Sequence, residues 1–257
     1  MSGFRQGILV AFIATTLCRA FTVMPSLGTS RHTPTSTSQL YQATAPVAPV
    51  ADFEYQELKA QLEVMSDREM ATRDLQSETL ETLEGYVKTI VEKRPSLISL
   101  PDIGKVLPGS SWKMVFSTQD AVLGDLPEGT SVQINFYNES DFATDPVASL
   151  PGLTDTGGVL DYVLQFPKTA LAGVSKLTAK SNYTVADSEE YINPGMVAFS
   201  YQDVKSDAFG VNIGLGWLGF VKGRTVYVNT AFIDGQFWIE SGENPDGKTY
   251  YSVYVRQ

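Results

Sequence analysis

The spacing of apolar residues changes along the chain, and this change constrains the fold more than any other feature. From Trp112 onward, apolar and polar side chains alternate, as where Gln133 and Asn135 separate Val132, Ile134 and Phe136. A period of two is typical of β-strands with one buried face. Other runs with this period are residues 112 to 118, 160 to 166, 174 to 185, 196 to 203, 211 to 220, 225 to 232, 236 to 241 and 249 to 256.

Turn-prone residues separate these runs, as at Pro151-Gly152, Asn193-Pro194-Gly195, Asp234-Gly235 and Pro245-Asp246-Gly247. About nine short strands with no helical pattern between them predict one antiparallel sheet, curled into a barrel or a sandwich. A barrel of this strand count has an interior that side chains fill, or that holds one small apolar ligand.

Large side chains on the apolar faces of the predicted strands are the candidate ligand-binding residues of such an interior. They are Trp112, Met114, Phe116, Phe136, Tyr162, Phe166, Phe199 and Phe237, with Trp238 as the alternative to Phe237. The alternation alone leaves open which face of each strand is inward.

Residues 52 to 94 have the period of a helix instead. Ser77 can cap a segment that Arg94-Pro95 ends. The apolar stripe of this segment consists of Leu80, Leu83, Val87, Ile90 and Val91. Such a narrow stripe favours packing on the protein's own domain, although a partner helix or a membrane surface would also fit it. We therefore expect one or two helices in a lead-in and linker of residues 52–106, followed by the barrel domain of residues 107–257.

The first twenty residues have the pattern of a signal peptide. Arg5 precedes an apolar run from Gly7 to Leu17, and Cys18 and Ala20 provide the small residues of a cleavage site before Phe21. A run of this length is too short to span a bilayer by itself. A retained membrane anchor is the alternative interpretation.

Residues 21–51 have the composition of a disordered organelle transit peptide. They contain 10 Ser or Thr residues, four prolines and Arg31, and the first carboxylate of the chain is Asp52. A signal peptide joined to such a leader, with Phe21 at the junction, resembles the two-part plastid presequences of algae with secondary, red-lineage plastids. We therefore expect a plastid (chloroplast) protein. The alternative is a secreted protein with a disordered stalk, for which Asn138 and Asn182 begin glycosylation sequons.

The chain has few reactive side chains and an acidic balance. Its one cysteine, Cys18, and its one histidine, His32, both lie in the leader, which excludes disulfides, Cys/His metal sites and histidine-based triads from the rest. The chain has 19 basic and 29 acidic residues, and the leader contains three of the basic ones and none of the acidic ones. Such a surface repels nucleic acid and anionic headgroups, so any peripheral membrane contact would be hydrophobic.

A glycine motif lies within the predicted strands. Gly214 to Gly219 spell G-x-G-x-x-G, but the residues that follow alternate like a strand, whereas a dinucleotide site needs a helix there. We expect no cofactor and no metal site. The surrounding segment is almost wholly apolar and makes Trp217, Leu218 and Phe220 candidates for membrane contact, with an ordinary core strand as the alternative.

Two separated stretches resemble the plastid lipid-associated proteins, the fibrillin family. The family carries a helix ending in Leu-Glu-x-Asn-Pro, then Leu-x-Gly-x-Trp-x-Leu-x-Tyr-Thr-Ser, and this chain has Val91-Glu92-Lys93-Arg94-Pro95 and then Leu107 to Thr118. Trp112 matches, and Gly109 lies one residue farther from it than in the family pattern.

The second stretch is the C-terminus, where the family has Thr-Tyr-Leu-Asp-x-x-Leu-Arg-Ile-x-Arg-Gly and a last strand ending near Arg. Asp234, Gly242 and Arg256 fall at the matching positions, whereas Trp238 and Ser241 replace the two arginines of the family. A headgroup or carboxylate contact that those arginines make in relatives is therefore not expected here.

The resemblance implies a mainly β, lipocalin-like barrel that binds or organises lipids, quinones or carotenoids at thylakoids or plastoglobules, without catalysis. A second hypothesis is a packed barrel that serves as a structural or assembly subunit of a thylakoid protein complex. A third is an enzyme on the same barrel that acts on a carotenoid or fatty-acid derivative through carboxylates, for which loss of turnover on replacing an interior Asp or Tyr would be the evidence.

Overall fold

The computed structural model describes the helical lead-in in part and most of the predicted strands. The described residues are 55–57, 60, 77–93, 96–119, 126–127, 129–137, 157–167, 173–186, 193–208, 211–214 and 225–257. The predicted signal peptide and transit peptide lie outside these residues, as do the membrane-contact candidates Trp217, Leu218 and Phe220.

The described part of the chain consists of helical residues 55–57 and 60, two further α-helices, one 3-10 turn and nine strands, with the loops between them. The helices are α1 (Ser77–Lys93) and α2 (Ile103–Val106), with the 3-10 turn at Leu100–Asp102. The strands are β1 (Ser111–Ser117), β2 (Ser131–Phe136), β3 (Gly157–Gln165), β4 (Val174–Val185), β5 (Val197–Ala208), β6 (Val211–Gly214), β7 (Thr225–Ile233), β8 (Phe237–Glu243) and β9 (Thr249–Arg256).

All nine strands belong to one antiparallel sheet that closes on itself. The order is β4-β3-β2-β1-β9-β8-β7-β5, and β4 pairs again with β5, for example Val185 with Val197. Eight strands therefore form a ring, and β6 is added beside β5. The prediction of a mainly β, single antiparallel sheet is confirmed.

The ring encloses the larger of two apolar clusters, which we call the inner cluster. Alternate residues of the ring strands contribute to it, as the period of two predicts. Its largest fully buried side chains are Trp112, Met114, Tyr183, Tyr201, Trp238 and Tyr254.

The second cluster, which we call the outer cluster, lies between helix α1 and the sheet. The apolar stripe of α1, with Leu83, Val87 and Ile90 buried, packs on residues from strands β1, β7, β8 and β9. The prediction that this stripe packs on its own domain is confirmed. No helix in the described part of the chain has the length and hydropathy needed to cross a membrane.

Two of the residues predicted for the interior lie in the outer cluster instead. Phe116 follows an irregularity in the pairing of β1 with β9 between Met114 and Phe116, and the extra residue of this bulge turns Phe116 to the face that packs under α1. Phe237 also belongs to the outer cluster, whereas its neighbour Trp238 lies in the inner cluster. The interior assignment was therefore wrong for Phe116 and Phe237, and Trp238 was the correct alternative.

The segment that leads into β1 covers one end of the ring. Ile103 and Leu107 are fully buried in the inner cluster, and the Ile98 amide donates to the Ile233 carbonyl at the end of β7. Gly195, in the turn between β4 and β5, has a positive φ, and a Cβ there would lie 2.8 Å from Cδ1 of Ile103. The turn therefore fits closely against this segment.

Candidate functional site

A carboxyl group lies inside the ring on strand β8. Glu240 is opposite Thr230 on β7 and Ser252 on β9, two residues along the strand from the buried Trp238. Residues two apart on a strand share a face, so Glu240 points inward with Trp238. Its side chain is 7% exposed, which makes it a buried acid in an otherwise largely apolar interior.

Two tyrosines of β9 hold this carboxyl group. The Tyr254 hydroxyl donates to Oε2 of Glu240 at 2.8 Å, and the Tyr250 hydroxyl donates to Oε1 at 3.2 Å. Burial raises the pKa of Glu240 to about 7, and the two hydrogen bonds oppose that shift. The carboxyl group therefore titrates near neutral pH.

Two more tyrosines interact electrostatically with Glu240. Tyr162 on β3 and Tyr201 on β5 are both buried, and burial raises the pKa of each phenol, with the charge of Glu240 adding to the shift. All four tyrosines therefore stay neutral when Glu240 ionises. We call Glu240 with Tyr162, Tyr201, Tyr250 and Tyr254 the carboxyl–tyrosine cluster.

A cavity of about 30 Å³ lies beside this cluster. Its walls combine apolar and aromatic side chains with one carboxyl group, and they contain no Lys, Arg or His among the described residues. The lining residues are Gln119, Ile134, Tyr162, Phe199, Val226, Tyr227, Val228, Glu240, Tyr250 and Tyr254. A polar cavity of this volume has room for a water-sized group.

Gly242, a position of the fibrillin pattern, supports the cluster by lacking a side chain. It pairs with Tyr250 across β8 and β9, and a Cβ on Gly242 would lie 2.5 Å from the Tyr250 ring. The ring of Tyr250 therefore lies across the glycine, and its hydroxyl reaches Glu240 from that position.

Replacing Gly242 with Ala is expected to lower the free energy of unfolding by about 1–3 kcal/mol, because the Tyr250 ring must move away from a well-packed site. Thermal and urea denaturation of the full chain measure the change. Gly85→Ala is the matched control, since Gly85 is exposed on α1 with nothing within 4 Å of a Cβ. That control is expected to gain up to about 1 kcal/mol from helix propensity. Equal effects of the two substitutions would contradict the close contact.

The other positions of the fibrillin pattern are structural in this fold. Oδ1 of Asp234 accepts hydrogen bonds from the amides of Gln236 and Phe237 and so closes the turn between β7 and β8. Gly109 has φ +69° in the turn before β1. The Arg256 guanidinium lies 5.9 Å from the centroid of the Trp112 ring, which is a cation–π contact.

The structure brings some of the predicted ligand-binding residues to the cavity and not others. Tyr162 and Phe199 line it, whereas Trp112, Met114, Phe136 and Phe166 fill the inner cluster without lining it. Ligand binding by these residues stays a prediction.

Sequence reasoning missed Glu240, Tyr201, Tyr250 and Tyr254. The signal that could have found Glu240 is an acidic residue on the same alternating face as Trp238. In the described part of the chain, no group of three or more acidic, His or Cys side chains could hold a metal ion.

Comparison with known proteins gives no relative: no protein-family model, no curated protein and no solved structure matches the chain. The resemblance to the fibrillin family therefore stays a prediction that depends on the residues quoted for it.

Proposed function

We propose that the protein is a non-catalytic plastid protein that binds the polar end of a small amphipathic molecule inside a lipocalin-like barrel. The observation that carries this proposal is the buried carboxyl group of Glu240 on the wall of a cavity. A buried ionisable group lowers stability unless it is paired, and such groups cluster at functional sites. The apolar cavity walls, including Ile134, Phe199 and Val228, suit the part of the ligand next to its polar end.

The size of the cavity limits what enters the ring. A volume of about 30 Å³ takes one or two small polar groups and not the tail of a lipid, a quinone or a carotenoid. A ligand of those classes would place its polar end at Glu240, and its tail would enter only after side chains at the cavity had moved. The plastid location rests on the composition of the leader, and the peripheral association with thylakoids or plastoglobules rests on the family resemblance.

A second candidate function is that of a packed structural or assembly subunit of a thylakoid complex. The observation in its favour is the filled interior, where Trp238 contacts Trp112, Phe136 and Tyr254 through ring centroids 5.2 to 6.0 Å apart. In such a subunit, Glu240 would hold Tyr250 and Tyr254 through hydrogen bonds and would bind no ligand.

Solvent extraction of the protein purified from the plastid fraction of its source tests the proposed function. We expect mass spectrometry of the extract to detect one amphipathic molecule in near-stoichiometric amount. The extracted molecule should rebind to the stripped full chain in calorimetry. Glu240→Gln should weaken rebinding at least tenfold, because a hydrogen bond to a charged group contributes about 1.5–3 kcal/mol.

Glu243→Gln is the matched control, since Glu243 lies on the same strand but is exposed. It should leave rebinding unchanged. An empty extract, together with no binding of galactolipids, quinones or carotenoids, would overturn the proposal. Co-migration of the empty chain with a photosystem or antenna complex in a native gel would then support the assembly subunit.

A further inference from the structure

The cavity beside Glu240 presents hydrogen-bond acceptors on Glu240 and on the two tyrosines that bind it, Tyr250 and Tyr254. The hydroxyl hydrogens of Tyr250 and Tyr254 are both directed to Glu240. What these three side chains still offer to a ligand is the remaining lone pairs of the carboxylate and of the two phenol oxygens. A ligand group that contacts these three side chains would therefore donate hydrogen bonds to them.

The volume of the cavity selects the size of that group. About 30 Å³ is the space of one or two water-sized groups. An ammonium group has this size and carries at least three donors, whereas a hydroxyl group of similar size carries one. The acceptors of Glu240, Tyr250 and Tyr254 therefore match an ammonium group better than an alcohol.

The charge of the site favours a cation. The described lining residues include one carboxyl group and no Lys, Arg or His, so the ionised form of Glu240 has hydrogen bonds but no counter-charge. An unpaired buried charge is costly, and a bound cation would remove that cost. Tyr162, Phe199 and Tyr227 also line the cavity, and aromatic rings are the side chains that give cation–π attraction.

We propose that the Glu240 cavity is an ammonium site, which binds either the –NH₃⁺ end of a small primary amine or the free ammonium ion. The inference rests on the proposed function, because it names the polar group that the interior binds. No bond is made or broken in this binding, apart from the loss of a proton when Glu240 is neutral beforehand.

Binding of a cation should depend on pH through Glu240. The groups that face it are Tyr250 and Tyr254 from β9, Tyr162 from β3 and Tyr201 from β5, and burial raises the pKa of each phenol. Glu240, with a pKa of about 7, is therefore the group that titrates in the neutral range. Because only its ionised form attracts a cation, affinity should rise about tenfold from pH 6 to pH 8.

Calorimetric titration of the full chain with four probes tests the inference. The probes are n-butylammonium chloride, ammonium chloride, potassium chloride and n-butanol. Potassium matches ammonium in size and charge but has no N–H donors, and butanol matches butylamine in shape but has no charge. We expect n-butylammonium or ammonium to bind at least tenfold more tightly at pH 8 than potassium and butanol do. If n-butylammonium binds more tightly than ammonium, the ligand is a primary amine. If ammonium binds more tightly, the ligand is the free ammonium ion.

Three variants test whether the probes bind at the Glu240 cavity. Glu240→Gln should abolish ammonium binding, Tyr250→Phe should weaken it severalfold, and Glu243→Gln should leave it unchanged. Tyr250→Phe keeps the aromatic ring and removes one oxygen acceptor, so it also tests the site in a protein whose Glu240 is intact.

The possible failures separate this inference from the proposed function. Equal affinity for butanol and butylammonium would overturn the ammonium site and leave the binding function in place. Potassium as tight as ammonium would overturn it in favour of a simple cation site. If no probe binds but the purified chain yields an extracted ligand without an amine, the inference fails alone. If no probe binds and no ligand is extracted, both fail.

Discussion

Replacing Glu240 with Gln is expected to remove most of the loss of stability that ionisation of this buried carboxyl group should cause between pH 5 and pH 8. The pKa of Glu240 is raised by burial from 4.5 to about 7 in the folded protein. Between these values the folded state binds more protons than the unfolded state, so the free energy of unfolding falls as pH rises. The stabilising effect is complete below about pH 4.5 and is lost as pH passes through about 7. A shift of this size corresponds to about 3 kcal/mol.

Urea denaturation of the full chain at pH 5 and pH 8 measures this difference. The wild-type protein should lose about 2–3 kcal/mol more than Glu240→Gln over that interval. Glu243→Gln is the control, because the exposed Glu243 has the same chemistry on the same strand and should leave the wild-type dependence intact. Parallel pH profiles for the wild type and Glu240→Gln would contradict the prediction, because they would show that Glu240 has the same pKa in the folded and unfolded states.

Replacing Trp238 with Ala is expected to cost about 3–5 kcal/mol, the range for removing a large aromatic side chain from a core. Trp238 is fully buried and stacks on Tyr254 with ring centroids 5.2 Å apart. Its indole N–H also donates to the Thr230 hydroxyl at 3.2 Å. The substitution therefore removes packing, a hydrogen bond and the ring that supports Tyr254 beside Glu240.

Thermal and denaturant unfolding measure the loss, with Trp238→Phe as the matched variant. Phe keeps an aromatic ring in the same place and gives up only the larger volume and the N–H donor, so its cost should be well below that of Ala. If Trp238→Ala unfolded at the same denaturant concentration as the wild type, Trp238 would lie outside the packed core. Position 238 is also one at which the chain departs from the fibrillin pattern, which has Arg there.

The class of fold was predictable because it depends on local periodicity. Alternation along residues such as Val132, Ile134 and Phe136 puts every second side chain on one face, and turn residues mark where strands end. The apolar stripe of α1 was visible for the same reason. These patterns do not predict which strands pair to close the sheet. The ring is closed by the pairing of β4 with β5, which depends on the arrangement of all the ring strands and not on local spacing.

The inward face of a strand was not predictable at bulges. Phe116 has the spacing of an interior residue after Trp112 and Met114, yet it packs under α1 because the pairing of β1 with β9 shifts between Met114 and Phe116. A single extra residue reverses every later position of a strand. Nothing in the local sequence marks that residue.

The carboxyl–tyrosine cluster shows a similar limit. Its members lie on β3, β5, β8 and β9, so their meeting depends on the closure of the sheet. Sequence reasoning placed Tyr162 on an apolar face. It assigned the acidic residues to the protein surface, where Asp and Glu side chains usually lie. Glu240 is the exception, because the ring removes it from water and two tyrosines replace the lost hydration.

The sequence by itself determined that the chain forms antiparallel strands with one apolar face each, that a helix carries a narrow apolar stripe, and that thiol and imidazole groups lie only in the first 32 residues. These properties follow from residue type and spacing, which act over a few positions. Tertiary structure alone decided that the strands close into a ring, that Trp238 rather than Phe237 lies inside, and that Glu240 is buried beside a water-sized cavity. Each of these depends on contacts between residues far apart in the chain, which no local pattern encodes.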